Sequence, residues 1–307
     1  MCGIIGLISK KKNGFTYNEL EAFEQMLICD SVRGEDGTGV AGILSNRQAK
    51  TVKIGSHPYH LIHSPEYVSW RSQMFQTGKI IIGHNRKATH GTISSENSHP
   101  FSEGKIILVH NGTIPGLKEG TEKEVDSHAL ADKFNKNHFE DTLLSLGGAW
   151  ALVWYDLDNH TLYLVRNEER PLYLIETESS WAFCSEVSMA YWLLVRNEIK
   201  LLSSKIIDPF NLIKIQVDPF TMTTQKIEVK SSCHHTVPFM GADWEGGDSF
   251  EERLPERPTT VFQPSEEKQL LIQDFLTKNR PYCICQPSNK CLPDQRICDE
   301  FSRKRLS

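Results

Sequence analysis

Cys2-Gly3-Ile4-Ile5-Gly6-Leu7-Ile8 is the stretch on which the reading of this chain turns. Ile4, Ile5, Leu7 and Ile8 make an apolar run of strand length, which predicts a buried strand that holds the start of the polypeptide rigid. The small side chain at position 2 permits removal of the initiator methionine. Cys2 would then carry a thiol and a free α-amine on one residue. Thiolate is the nucleophilic form, and an α-amine titrating near pH ~8 can take the thiol proton directly or through a water. Gly3 and Gly6 are expected to keep the backbone bare beside the sulfur. A cysteine at position 2 means little by itself, so the reading depends on what the rest of the chain supplies.

The chain has 307 residues, enough to bury a sizeable core, and 39% of them are apolar. A formal charge of −5 gives no global reason to expect nucleic acid or an anionic membrane as a partner. The longest apolar runs, around Ile80-Ile81-Ile82 and Ile106-Ile107-Leu108-Val109, are strand-length and far short of a membrane span. Lys10-Lys11-Lys12 follows the first apolar run instead of preceding it, which disfavours a secretory leader. Cys2, Cys29, Cys184 and Cys233 are scattered without a disulfide framework, and the expected location is the reducing cytoplasm.

Helical spacing of Leu20, Phe23 and Leu27 predicts a helix from Thr16 to Asp30, with a second from Pro65 to Phe75 and a third starting at Asp126. Strands are expected at Gly148 to Asp156, Thr161 to Arg166, Leu172 to Ile175 and Trp181 to Cys184. A helix should follow over Val187 to Arg196, then a hairpin of Asn211 to Val217 with Thr221 to Val229 around Asp218-Pro219. Many strands and few helices, grouped and not strictly alternating, indicate an α+β fold with stacked sheets. The composition changes near Lys230. This divides the chain into a body over 2–230 and an extension over 231–307, in which Ser231 to Pro264 reads as a Pro/Gly-rich acidic strap. Ser265 would cap a short helix whose Leu271, Ile272, Phe275 and Leu276 form one stripe that packs on the body.

Four further segments carry groups suited to binding and cleaving a small zwitterionic amide. Arg33-Gly34-Glu35-Asp36-Gly37-Thr38-Gly39 reads as a glycine-rich turn in which Arg33 and Asp36 brace a loop over the thiol. Gly83-His84-Asn85-Arg86-Lys87-Ala88-Thr89-His90-Gly91 runs off a buried strand, and Arg86 there can grip a carboxylate with two prongs. His110-Asn111-Gly112 leaves another buried strand. The Asn111 amide and the Gly112 N–H are donors fit to face a carbonyl oxygen that turns negative under attack, although Asn-Gly is also an ordinary hairpin turn. Asp126 can hold an ammonium or simply cap a helix.

In order and content these segments, with His99-Pro100-Phe101 and Asp126-Ser127, resemble the class II glutamine amidotransferases, a family of N-terminal-nucleophile hydrolases. The resemblance covers residues 2 to 230 and implies a four-layer αββα sandwich that cleaves L-glutamine to glutamate and ammonia, with no cofactor. It assigns Cys2 as nucleophile, Asn111 and Gly112 as the oxyanion hole, Arg86 as the carboxylate ligand and Asp126 as the ammonium ligand. Thr89 and His90 would line the pocket, and Arg33, Gly34 and Asp36 would form the supporting loop. The pattern departs from the family at Lys87, where an aromatic is usual, and at His128, where an acid is usual. The segment Leu164 to Leu172 is also shorter and lacks the family's glycine, while Cys184-Ser185-Glu186 resembles the strand end that follows.

Family members normally pass ammonia to a synthase domain, and none fits in the extension, so a separate ammonia-accepting synthase or ligase is the expected partner. Two other readings stay open: a free-standing hydrolase of glutamine or a γ-glutamyl amide, and a non-catalytic module that binds glutamine or a partner. Cys283, Cys285, Cys291 and Cys298 are enough thiols for a tetrahedral zinc, although their spacing lacks paired C-x2-C knuckles.

Overall fold

The computed structural model describes residues 2–228. The expectations for the strap, the Ser265 helix and the four late cysteines lie outside the described residues. In chain order the elements are β1 (Gly3–Ser9), α1 (Tyr17–Cys29), β2 (Gly37–Leu44), β3 (Ala49–Ile54), α2 (Pro58–Ile62), α3 (Pro65–Thr77) and β4 (Gly78–Arg86). Next come β5 (Phe101–Glu103), β6 (Ile106–Thr113), α4 (Asp126–Lys136), α5 (Phe139–Ser145), β7 (Ala149–Asp156) and β8 (Thr161–Arg166). The body closes with β9 (Tyr173–Thr177), β10 (Ser180–Cys184), α6 (Val187–Arg196), β11 (Leu201–Ile206), β12 (Asn211–Val217) and β13 (Phe220–Lys226).

The strands form two antiparallel sheets, one in the order β11-β9-β10-β1-β4-β2-β3 and the other β13-β12-β8-β7-β6-β5. Burial follows strand alternation. On β1, Ile5 and Leu7 enter a core shared with Phe23, Met26 and Leu27 of α1 and with Tyr67 and Trp70 of α3. Ile4 and Ile8 instead enter the core between the sheets, with Val109, Val153 and Leu164. On the far face of the second sheet, Leu108, Leu152 and Trp154 pack on Ala129, Leu130 and Phe134 of α4. The result is the helix–sheet–sheet–helix sandwich that the motifs implied.

Local chemistry sets the helix ends. Thr16 Oγ1 accepts from Glu19 N at 3.2 Å while Glu19 Oε2 accepts from Thr16 N at 2.7 Å, a reciprocal cap that starts α1. Ser64 caps α3 ahead of Pro65. Three local expectations differ from the structure. Val125 occupies the cap position of α4, so Asp126 is its first helical residue. The glycine-rich turn ends at Asp36, and Gly37 to Leu44 is a fully buried strand next to β4. The last strand ends at Lys226, short of Val229.

The sheets bring three strand ends to one pole: the start of β1, the exit of β4 and the exit of β6. Gly3 pairs with Asn85, while Asn111 and Gly112 pair with Ala151 and Trp150. Cys2, Cys29 and Cys184 are free thiols. Among the described residues no helix is long and apolar enough to cross a membrane.

Candidate active site

Cys2 shares the strand parity of Ile4, so its side chain faces the space between the sheets, away from the helical layer. The half-buried sulfur lies 3.4 Å from Lys87 N, whose N–H it accepts, and 3.7 Å from Lys87 O. Burial pushes the thiol above its ordinary value, opposed by the Lys87 N–H and by the Arg86 guanidinium. Near neutral pH the sulfur therefore holds its proton, and any nucleophilic role would require a nearby base to take it.

Gly3 has a different role from the one expected. A Cβ there would fall 1.7 Å from Asp30 Oδ2, on the face opposite the thiol, so the missing side chain makes room for a buried carboxyl and does not expose the sulfur. Asp30 is wholly buried at the end of α1 and accepts from Asn85 Nδ2 at 3.2 Å, while its Oδ1 has no hydrogen bond. Burial raises its pKa to about 7, offset in part by Arg33 and the Asn85 amide.

The Arg33–Asp36 loop braces Cys2 through the backbone. Arg33 Nε donates to Cys2 O at 3.1 Å and lies 3.6 Å from Asp30 Oδ1. Asp36 Oδ2 accepts from Ala88 N at 2.8 Å and pairs with Lys87 Nζ at 3.1 Å. The backbone at Gly34 packs directly on the Arg86–Lys87 peptide. The two charged residues thus hold the two segments that flank the sulfur, one each.

Arg86 ends β4 and is buried. Nη1 donates to Thr92 O at 3.0 Å and Nη2 to His90 O, so two prongs organise the loop that carries Thr89 and His90. Burial lowers the guanidinium pKa, against the pull of the Cys2, Asp36, Asp126 and Glu124 charges around it. Thr89 and His90 stand exposed at the rim.

Asn111 is buried, and its Nδ2 donates to Ser185 Oγ at 3.3 Å. The same oxygen accepts from Ile4 N at 3.0 Å, so Ser185 ties β1 of one sheet to Asn111 of the other. Gly112 sits at φ +146°, and a Cβ would meet Ala149 O at 1.8 Å, so only glycine fits between β6 and β7 here. Asp126 Oδ2 accepts from Ile114 N at 3.0 Å and Oδ1 from Ser127 N at 2.8 Å, which fixes the carboxylate while leaving lone pairs free. His128 turns to Glu103 Oε1, at 2.5 Å, instead of standing beside Asp126.

Beneath the site lie three buried imidazoles. His84 Nε2 contacts His110 O at 3.0 Å, His110 Nδ1 contacts Ser127 Oγ at 2.9 Å, and the His84 and His99 rings lie with centroids 3.8 Å apart, tilted by 35°. Burial holds His84 down to about 3 and His99 well below the usual histidine range, so both are neutral spacers at physiological pH.

Sequence reasoning named Cys2, Arg33, Asp36, Arg86, Asn111, Gly112 and Asp126, and the structure gathers them at one pole. It missed Asp30, and it noticed Ser185 only as part of a strand end. Asp30 was hidden because an acid closing a helix reads as a cap. Among the described residues no group of three or more His, Cys, Asp or Glu side chains is placed to hold a metal.

Comparison with known proteins gives consistent matches. A family model described as "Glutamine amidotransferases class-II" matches residues 1–128, and one described as "Glutamine amidotransferase domain" matches residues 84–191. The glutamine–fructose-6-phosphate aminotransferase of Sulfolobus acidocaldarius is 29% identical over 175 residues, covering 50% of this chain and 28% of that protein. Its counterpart in Buchnera aphidicola subsp. Baizongia pistaciae is 28% identical over 243 residues, covering 69% of this chain and 37% of that protein. The chain therefore spans between 28% and 37% of the length of these relatives. Among solved structures, the glutamine phosphoribosylpyrophosphate amidotransferase from B. subtilis superposes with a TM-score of 0.57 at 18% identity, covering 75% of this chain and 50% of that one, and shares the fold.

Proposed function

We propose that this chain, matched by glutamine amidotransferase family models over residues 1–128 and 84–191, is a class II glutaminase subunit that splits L-glutamine and passes ammonia to a separate synthase. The observation that carries this reading is the juxtaposition of the Cys2 sulfur, 3.4 Å from Lys87 N, with Arg86 on the adjoining strand and with Asn111 tethered through Ser185.

In the proposed cycle, removal of Met1 frees the Cys2 amine, which takes the thiol proton. Sulfur then bonds to the side-chain carbonyl carbon of glutamine and the carbonyl π pair moves onto oxygen. One Asn111 Nδ2 hydrogen is held by Ser185, and the second, with the Gly112 N–H, meets that oxyanion. As the tetrahedral species collapses, the C–N bond breaks and the ammonium of Cys2 protonates the departing nitrogen, releasing ammonia. Water, deprotonated by the same amine, cleaves the γ-glutamyl thioester to glutamate and free thiol. Arg86 has three N–H groups beyond the two spent on His90 O and Thr92 O, and these would bind the substrate carboxylate. Asp126 would bind the α-ammonium. Lys87, in the usual aromatic position, is drawn to Asp36, which keeps its chain beside the pocket.

The test is glutamate release from glutamine by protein lacking Met1, assayed alone and with proteins that co-purify. Cys2→Ala should abolish release while leaving the circular dichroism spectrum intact. Inactive wild-type protein under both conditions would overturn the reading in favour of a binding module. High turnover with no acceptor present would favour a free-standing hydrolase.

A further inference from the structure

Loop 87–92 carries Thr89 and His90 and is held from two sides. From inside, Arg86 donates to His90 O and Thr92 O. From outside, three donors converge on one oxygen, Glu124 Oε2: Thr92 N at 3.0 Å, Thr92 Oγ1 at 3.1 Å and Asn97 Nδ2 at 2.7 Å. Asn97 is buried and turns the same amide toward Thr92 O, at 3.2 Å, and Thr92 Oγ1, at 3.0 Å. Gly91, between the clasped residues, adopts φ +73° against the Glu124 and Val125 side chains. Glu124 lies two positions before Asp126, so its carboxylate joins the loop bearing one set of proposed substrate contacts to the segment bearing the other. Those hydrogen bonds hold the Glu124 carboxyl below its ordinary pKa, which keeps it an acceptor at neutral pH.

We infer that Glu124 is a positioning residue that latches loop 87–92 to the Asp126 segment and thereby fixes the glutamine-binding geometry without touching the substrate. The latch rests on the proposed glutaminase reading for its effect on substrate, and on geometry alone for its effect on the loop. Glu124 is exposed, so the hold comes from three donors meeting on one ionised oxygen and from the buried Asn97, which gives them a fixed anchor.

The experiment compares full-length, Met1-free protein carrying Glu124→Leu or Glu124→Gln with wild type. Hydrogen exchange should show that the Thr92 amide and its loop lose protection in Glu124→Leu. The KM for glutamine should rise about tenfold, the equivalent of one lost tether, with kcat changed much less. Alkylation of Cys2 by iodoacetamide should proceed at the wild-type rate, while labelling by a diazo-ketone analogue of glutamine slows. Glu124→Gln keeps an acceptor oxygen and should recover most of the protection and most of the KM. Wild-type protection at Thr92 together with a wild-type KM in Glu124→Leu would overturn the latch. If wild-type protein neither turns over glutamine nor reacts with the analogue, the glutaminase reading fails, and the exchange result alone then upholds or overturns the latch.

Discussion

Replacing Ser185 with alanine tests whether the two sheets are tied together at the site. Ser185 Oγ accepts from Ile4 N at 3.0 Å and from Asn111 Nδ2 at 3.3 Å, and all three residues are buried. The substitution strands two donors where water has little access. Each stranded donor costs about 1–3 kcal/mol, so we expect a loss of roughly 2–6 kcal/mol. For a domain of this size that lowers the midpoint by on the order of 5–15 °C without abolishing folding. Asn111 also loses the bond that aims its amide. Removing an oxyanion donor outright costs about 100–1,000-fold in kcat, so a mis-aimed donor should cost about 10–100-fold, chiefly in kcat and not in KM. The assays are urea unfolding and steady-state glutaminase kinetics. A Ser185→Ala, Asn111→Ala double-mutant cycle adds a check, since in this account the two kinetic losses are strongly non-additive. A Ser185→Ala protein within about 0.5 kcal/mol of wild type and with unchanged kcat would refute the reasoning.

Asp30 should leave a signature in the pH dependence of stability. Its folded-state pKa is raised to about 7, above the ordinary carboxyl value, so between those values the folded state holds more protons than the unfolded one. Stability from this group is fully present below the unfolded pKa and is lost as pH rises through about 7. Asp30→Asn keeps an acceptor for Asn85 and removes the titration, so unfolding free energies measured between pH 4 and 8 should move in favour of the variant with rising pH. A constant difference would contradict the assignment. Gly112→Ala should destabilise the protein and depress kcat, because the new Cβ would lie 1.8 Å from Ala149 O. Wild-type turnover in Gly112→Ala would show that the β6 and β7 backbones can move apart.

Where contacts are local, the sequence was readable. Strands expected at Gly148 to Asp156 and Thr161 to Arg166 appear as β7 and β8, because two strand-length apolar runs joined by a short polar turn dictate a hairpin. The helix read from Leu20, Phe23 and Leu27 is α1, set by its own cap. β2 was misread at its start because Gly37 and Gly39 look like turn residues. Their real use, shared by Gly42, is to let the Ser98 side chain, the His99 backbone and the Met74 and Trp70 side chains approach the strand. Sheet order was not readable at all: β1 lies between β4 and β10, and no local pattern encodes that pairing. The site divides in the same way. Cys2, Arg86, Asn111 and Asp126 lie in motifs at element ends, whereas Ser185, Asp30 and Glu124 acquire roles only through partners distant in the chain.

The account stands on the freed amine of Cys2 acting as base for its own thiol, because burial keeps the sulfur protonated otherwise. Intact mass spectrometry of active protein, before and after reaction with the diazo-ketone glutamine analogue, addresses this directly. The account predicts a mass lacking Met1 and a single adduct that peptide mapping places on Cys2. Full activity in protein that retains Met1, or an adduct elsewhere, would contradict it.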